Sequence, residues 1–344
     1  MHPQLAPGDF VGAHKLLAPL GAGGMGSVWA AEAPDGYQVA VKVMHDHLRE
    51  DEELLRRFRR EFEVGQRVRH PNLTQMIEIG QHRGLPFLVM ELATGKSIRR
   101  LIERGGPFRE WEALEMAAQV ADGLAALESH GIVHRDLKSS NIVADRDLSV
   151  KIIDFGIARV EGERTLAEGN TFMGSAEFSS PEYYFGRTPG PSADVYSLGV
   201  VLFEMLTGRV PYRSDRYTDT LKMHATLPVP RPAQYAGVVS QESDDLVFDM
   251  MQKQAERRPT ERQVAARCRT ILALHGRGSV PIGAPIPPPA PPAQIGSGPP
   301  PARQSETGRP QNVNSGAVIA VVVSVLAGAA ALVGGAILVA AMSS

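Results

Sequence analysis

The chain of 344 residues carries 36 Lys plus Arg against 38 Asp plus Glu, a formal net charge of −2 at pH 7. That length allows one large or two ordinary folded domains, and the balanced charge excludes a general nucleic-acid binder, which needs a basic excess. Hydrophobic residues make up 43% of the chain, enough for a substantial core; a lone cysteine, Cys268, excludes a disulfide framework or a cysteine-rich zinc site and fits a reducing compartment.

Met1 to Asp9 contains no long apolar run and does not read as a secretory signal. Residues 10–275 alternate strand-like and helix-like patterns and form the expected folded domain. After HKLLAPL, ending at Leu20, the run Gly21-Ala22-Gly23-Gly24-Met25-Gly26-Ser27-Val28 fits G-x-G-x-x-G-x-V. Glycines there let backbone N–H groups approach phosphate oxygens without a Cβ in the way. Dinucleotide-binding loops share the spacing, but such a loop opens a helix. Here VWAAEA, the turn pair Asp35-Gly36 and YQVAVKVM predict a hairpin instead. Its second strand carries Val39-Ala40-Val41-Lys42. The following helix, EELLRRFRREFEVGQRVR, offers Glu61 and Glu63 as partners for Lys42. They lie about 200° apart around a helix, so only one can face the lysine. Its other charges read as a solvated face, with Glu52–Arg56 and Glu53–Arg57 as i,i+4 pairs.

Farther along, FLVMELA reads as a strand, and WEALEMAAQVADGLAALESHG has apolar residues at helical spacing. His134-Arg135-Asp136-Leu137-Lys138-Ser139-Ser140-Asn141 then fits H-R-D-L-x-x-x-N, and Lys151-Ile152-Ile153-Asp154-Phe155-Gly156 ends in D-F-G. In this order and spacing, behind a glycine loop and a V-A-V-K strand, these motifs resemble the protein kinases. The resemblance is to the eukaryotic-like (Hanks-type) Ser/Thr kinases of bacteria, over about residues 10–274.

The resemblance implies an α+β, two-lobed kinase fold: an N-lobe antiparallel sheet plus one helix, and a mainly helical C-lobe, with ATP in the cleft. It selects Glu61 as the partner of Lys42, which would bind the α- and β-phosphates. Asp136 would orient the substrate hydroxyl and accept its proton, and Lys138 would contact the γ-phosphate. Asn141 and Asp154 would hold Mg²⁺, with Mn²⁺ as the alternative cation. Met90 would be the gatekeeper beside the adenine, backbone groups of Glu91 and Ala93 would meet its edge, and Val28, Ala40 and Val143 would sandwich it. Asp194 would brace the catalytic loop, and Glu182 would pair with Arg258. Thr171, then Thr165, are the candidate phosphosites of the activation segment, with Arg135 placed to pair the phosphate. Ser139 stands where the family often has proline, Ser175 replaces a threonine and Phe178 a tyrosine; none removes a catalytic group. Cys268 and His134 read as packing residues.

From residue 276 to 315 the chain is rich in Pro and Gly with few large apolar residues, the composition of a disordered linker. Ala317–Met342 contains no charge and as a helix would reach about 39 Å, longer than a hydrocarbon core of about 30 Å. A single membrane span is expected there, a tail anchor with only Ser343 and Ser344 beyond it. Arg303 and Arg309 precede the span and favour the linker side being cytoplasmic, so the kinase side is expected there. Ala327, Ala331 and Gly335 recur every four residues, a spacing that lets two such helices pair as a homodimer. The expected activity is ATP- and Mg²⁺-dependent phosphorylation of Ser/Thr hydroxyls in proteins, with autophosphorylation. Two other readings share the fold: a regulatory scaffold, opposed by intact Lys42, Asp136, Asn141 and Asp154, and a small-molecule phosphotransferase, opposed by the complete segment through Ser180-Pro181-Glu182.

Overall fold

Alternation along the first strands sorts two apolar sets onto opposite faces of one sheet. In a computed structural model describing residues 5–23, 26–48, 51–154, 176–237 and 239–276, six strands pair in the order β1-β2-β3-β4-β6-β5. They are β1 (Phe10–Val11), β2 (His14–Ala22), β3 (Gly26–Glu32), β4 (Gln38–Met44), β5 (Met76–His82) and β6 (Leu85–Glu91), every pair antiparallel. Successive side chains of β4 point to opposite faces. Val39, Val41 and Val43 join Val11, Leu16, Trp29, Phe87 and Val89 in a small outer cluster. Ala40, Met44, Leu88 and Met90 belong to the main core. The register Val28↔Lys42, Ala40↔Met90 and Lys42↔Leu88 puts Val28, Ala40, Lys42, Leu88 and Met90 on that inner face. The expected β3–β4 hairpin is present, with Gly36 at φ 85° in its turn.

Helix α1 (Glu52–Arg67) closes the inner face. Phe58, Glu61, Gly65 and Val68 are buried at a spacing of three to four, while Glu63 is exposed. The exposed pair Glu52–Arg56 forms at 3.2 Å; the side chains of Glu53 and Arg57 lie outside the described set.

The second lobe is mainly helical: α2 (Ile98–Gly105), α3 (Glu110–Glu128), α4 (Pro181–Tyr184), α5 (Pro191–Thr207), α6 (Tyr217–Thr226), α7 (Gln241–Met250) and α8 (Glu261–His275). A small sheet of β7 (Lys96–Ser97), β8 (Ile142–Ala144) and β9 (Val150–Ile152) carries the loops that concern function. Helix α5 is buried without interruption from Ala193 to Leu206, so it is the axis of the lobe. Pro191 starts it and Gly208, at φ 75°, ends it by donating to the Glu204 carbonyl. Helix α3 packs against α5 and α8, and Cys268 of α8 is buried in the shared core. Among the described residues no helix is long and apolar enough to cross a membrane; the apolar run 317–342 and most of the Pro/Gly-rich stretch lie outside them.

Candidate active site

The inner face of β4 and the buried face of α1 meet at Lys42. Its Nζ lies 3.1 and 3.3 Å from the two carboxylate oxygens of Glu61 and 3.1 Å from Asp154. Glu61 is 3% exposed and Asp154 40%, so the lysine links a buried carboxylate to one that opens on the cleft. Burial acts to lower the Lys42 pKa, but Asp154 and Glu61 outweigh it and the ammonium is held charged. Burial raises Glu61, with Lys42 opposing; Lys42 in turn holds Asp154 below its ordinary value.

The loop between α3 and β8 is shaped by its backbone. Asp194, in the first turn of α5, accepts the N–H groups of His134 at 2.6 Å and Arg135 at 2.9 Å. Arg135 sits at φ 65°, left-handed backbone that costs a non-glycine residue about 1–3 kcal/mol. The Asp194 bonds, and a hydrogen bond from the Tyr183 hydroxyl to the Arg135 carbonyl at 2.9 Å, hold it there. Buried His134 uses Nδ1 to accept the Asp136 N–H at 3.3 Å, a packing and bracing role.

Asp136 is presented beside Lys138, whose Nζ is 2.7 Å from its carboxylate. Asn141 donates its amide to the Asp136 carbonyl at 3.0 Å, which turns its side-chain oxygen away; the Ser140 hydroxyl approaches that oxygen at 3.4 Å. The Ile153 N–H donates to the Asn141 carbonyl at 2.8 Å, tying this loop to the strand end that carries Asp154, itself at φ 55°.

The remaining expected residues surround the inner face. Met90, Ala40 and Val143 are buried, and Val28 is half-buried. Leu20 is exposed at the cleft end of β2. Among the described residues no partner meets the backbone N–H of Ala93, just past β6. Gly21 and Gly23 have open space where a Cβ would stand, the clearance that a phosphate needs. Gly26 differs: a Cβ there would lie 2.1 Å from the Val43 carbonyl oxygen, so this glycine serves the β3–β4 approach and not a ligand. Gly24, Thr165, Thr171, Ser175 and the Phe155-Gly156 pair lie outside the described residues.

These residues fit a nucleotide with a divalent cation. No described group of three His, Cys, Asp or Glu side chains could hold a metal alone. Asn141 and Asp154 supply two hard oxygen donors, the kind of set that suits Mg²⁺ when phosphate oxygens and water complete the shell.

Several partners carried no sequence signal. Lys151 of β9 pairs with Glu91 at 2.8 Å and donates to the Pro71 carbonyl at 3.0 Å, linking the expected hinge to the strand before Asp154. His45 Nε2 lies 2.9 Å from the Gly23 carbonyl, and the loop also closes through Gly23 N–H to Gly26 O at 2.9 Å. Ser139 is buried with its hydroxyl toward Glu204. Burial raises that carboxyl, opposed by Ser139 and by Arg99 at 3.0 Å, although the Ser139 contact falls short of full hydrogen-bond geometry. One pair was expected: Glu182 and Arg258, which the resemblance joined, meet at 2.8 Å, and the guanidinium N–H groups also donate to the carbonyls of Gln252, Ser192 and Lys253.

Residues 14–268 match the family model described as "Protein kinase domain". The chain is 32% identical over 238 residues to the serine/threonine-protein kinase PrkC of Bacillus subtilis, covering 69% of this chain and 37% of that protein. It is 29% identical to the probable serine/threonine-protein kinase PknB of Lactococcus lactis (78% of this chain, 43% of that protein). To the serine/threonine-protein kinase pkn2 of Myxococcus xanthus it is 34% identical, covering 74% of this chain and 32% of that one. The chain thus spans about two fifths or less of the length of these curated relatives. With a matched domain that takes in Lys42, Glu61, Asp136, Asn141 and Asp154, the chain belongs to the protein kinase family.

Proposed function

We propose that the chain is a protein Ser/Thr kinase that uses ATP and Mg²⁺, with Mn²⁺ as an alternative cation. The observation that carries this reading is the chain of contacts Glu61–Lys42–Asp154 set beside the Lys138–Asp136 pair. When bound, Mg²⁺-ATP supplies the transferable phosphoryl group and a counter-charge. Phosphoryl transfer asks the protein mostly to position groups and neutralise charge. Lys42, fixed by Glu61, gives an ammonium on the inner face for phosphate oxygens, and Asn141 and Asp154 give the oxygens for the cation. Asp136 accepts the hydrogen bond of the substrate hydroxyl and takes its proton, while Lys138 neutralises charge next to it. Val28, Ala40, Val143 and Met90 form the apolar walls for a base, and Glu91 and Ala93 its polar edge. The names of the relatives support Ser and Thr as acceptors.

The same reading puts autophosphorylation on Thr171 or Thr165, with Arg135 pairing the phosphate. It anchors the chain in the membrane through Ala317–Met342, kinase side cytoplasmic, and pairs two copies through the small residues of that run. Acid hydrolysis of a labelled acceptor protein tests the chemistry: phosphoserine and phosphothreonine are expected, and label confined to free phosphate or a metabolite contradicts it. Phosphosite mapping of the chain itself decides between the threonines. Retention in carbonate-washed membranes, lost on deleting 317–342, tests the anchor.

A further inference from the structure

The glycine loop is held by a side chain that no motif singles out. Across the sheet Gly21 pairs with Val28 and Val28 with Lys42, so the loop leaves the strands in line with the ammonium assigned above to phosphate oxygens. At its far side Gly26 pairs with Met44, the last residue of β4. His45 follows directly, and its Nε2 lies 2.9 Å from the Gly23 carbonyl oxygen. A carbonyl can only accept, so the contact assigns a proton of the imidazole to Nε2. The ring is held in turn. It is half-buried and stacks on His47, with centroids 5.6 Å apart and planes 17° from parallel. The Leu48 N–H donates to the His45 carbonyl at 3.0 Å, which closes the short turn Asp46–Leu48 behind it.

The physical need for such a hold lies in Gly23 itself. It has open space where a Cβ would stand, and glycine backbone ranges over more conformations than that of any other residue. A loop that must be ordered when its ligand arrives gives up affinity for that ordering. Two bonds restrict Gly23 beforehand: its N–H donates to the Gly26 carbonyl at 2.9 Å, and its own carbonyl accepts from His45. The second bond also has an electrostatic side. A carbonyl oxygen carries partial negative charge and repels phosphate oxygens that it faces; the imidazole N–H fixes this one toward the end of β4.

We infer that His45 is a positioning residue for the nucleotide: by holding the Gly23 carbonyl it orders this side of the glycine loop before the phosphates arrive. This rests on the kinase reading, and its test is built so that the two can fail separately. Amide exchange on the full chain without nucleotide reads the loop alone, through the Gly23 N–H that bonds Gly26. His45→Phe keeps an aromatic ring to stack on His47 and removes the donor. One hydrogen bond of ordinary strength is about fivefold in an equilibrium, so Gly23 exchange should speed up by about that factor, with the β4 amides unchanged. Equilibrium dialysis with Mg²⁺-ATP should show binding weakened about fivefold in His45→Phe, whereas His45→Gln, which keeps an N–H donor, should stay within about twofold of wild type. With casein as acceptor, His45→Phe should raise KM for ATP about fivefold and leave kcat and KM for casein within about twofold.

Unchanged Gly23 exchange or unchanged ATP binding in His45→Phe overturns the inference, as does an equal loss in His45→Gln or a parallel rise in both KM values. Wild-type protein that binds no ATP overturns it together with the kinase reading. Wild-type protein that binds ATP but transfers no label to casein or to itself rejects the kinase reading alone, while exchange and dialysis still decide the role of His45.

Discussion

Asp194 grips the catalytic loop by its backbone, accepting the N–H groups of His134 and Arg135 at 2.6 and 2.9 Å from the N-terminal turn of the most buried helix in the lobe. This anchor sets the backbone that presents the Asp136 carboxylate to Lys138. Burial pushes Asp194 up to about 7. An unfolded aspartate titrates near about 3.9, so between those values the native state holds a proton that the unfolded state has released. The contribution of this group is therefore full below about pH 4 and is lost as pH rises through about 7. Urea midpoints compared between wild type and Asp194→Asn should show the wild-type advantage shrinking from pH 5 to pH 8. A difference that stays flat across that range contradicts this account of the loop.

Lys42 serves stability as well as chemistry, because Glu61 has almost no water to turn to. Replacing it as Lys42→Met strands a buried carboxylate, a loss of about 3–5 kcal/mol by analogy with other buried pairs. The double variant Lys42→Met/Glu61→Gln should fold more stably than Lys42→Met alone, while both lack phosphoryl transfer. Chemical denaturation of the three proteins checks it; additive losses would mean that the pair is not coupled.

The glycines of the loop divide by role. Gly26→Ala forces a methyl onto the Val43 carbonyl and should cost about 1–3 kcal/mol of stability, through β3–β4 pairing. Gly23→Ala meets open space and should leave melting nearly unchanged while raising KM for ATP. Melting curves and ATP titrations of the two variants separate packing from binding.

Cys268 offers a direct reading of C-lobe integrity. Burial pushes its thiol up to about 12, so almost none is thiolate at neutral pH. Reaction with a disulfide reagent should be slow in the native protein and should accelerate in step with unfolding as urea is added. Rapid labelling of the native state would place the cysteine at the surface instead.

Much of this site was legible because its chemistry sits in contiguous motifs: Lys42, Asp136, Lys138, Asn141 and Asp154 each announce themselves by spacing. Periodicity alone could not choose between Glu61 and Glu63; the structure shows the cause, since Phe58, Glu61 and Gly65 share the buried face of α1 while Glu63 is exposed. The hairpin after the glycine loop was readable from its turn pair, but the steric demand on Gly26 was not, because it depends on a backbone atom 17 residues away, Val43 O. The links Lys151–Glu91 and Arg99–Glu204 left no trace in the sequence either. Each joins two elements far apart in the chain, and a residue pair brought together only by packing has no local pattern to announce it.

The central claim is that Asp136, beside Lys138 and backed by Lys42, transfers phosphate from ATP to Ser or Thr in a protein. Its most direct test is transfer from radiolabelled ATP with Mg²⁺ to casein by the full chain, beside Asp136→Asn and Lys42→Met. The account predicts phosphoserine or phosphothreonine with the wild type and a loss of at least about 100-fold in each variant. Equal labelling by Asp136→Asn, or no transfer by the wild type, would contradict it.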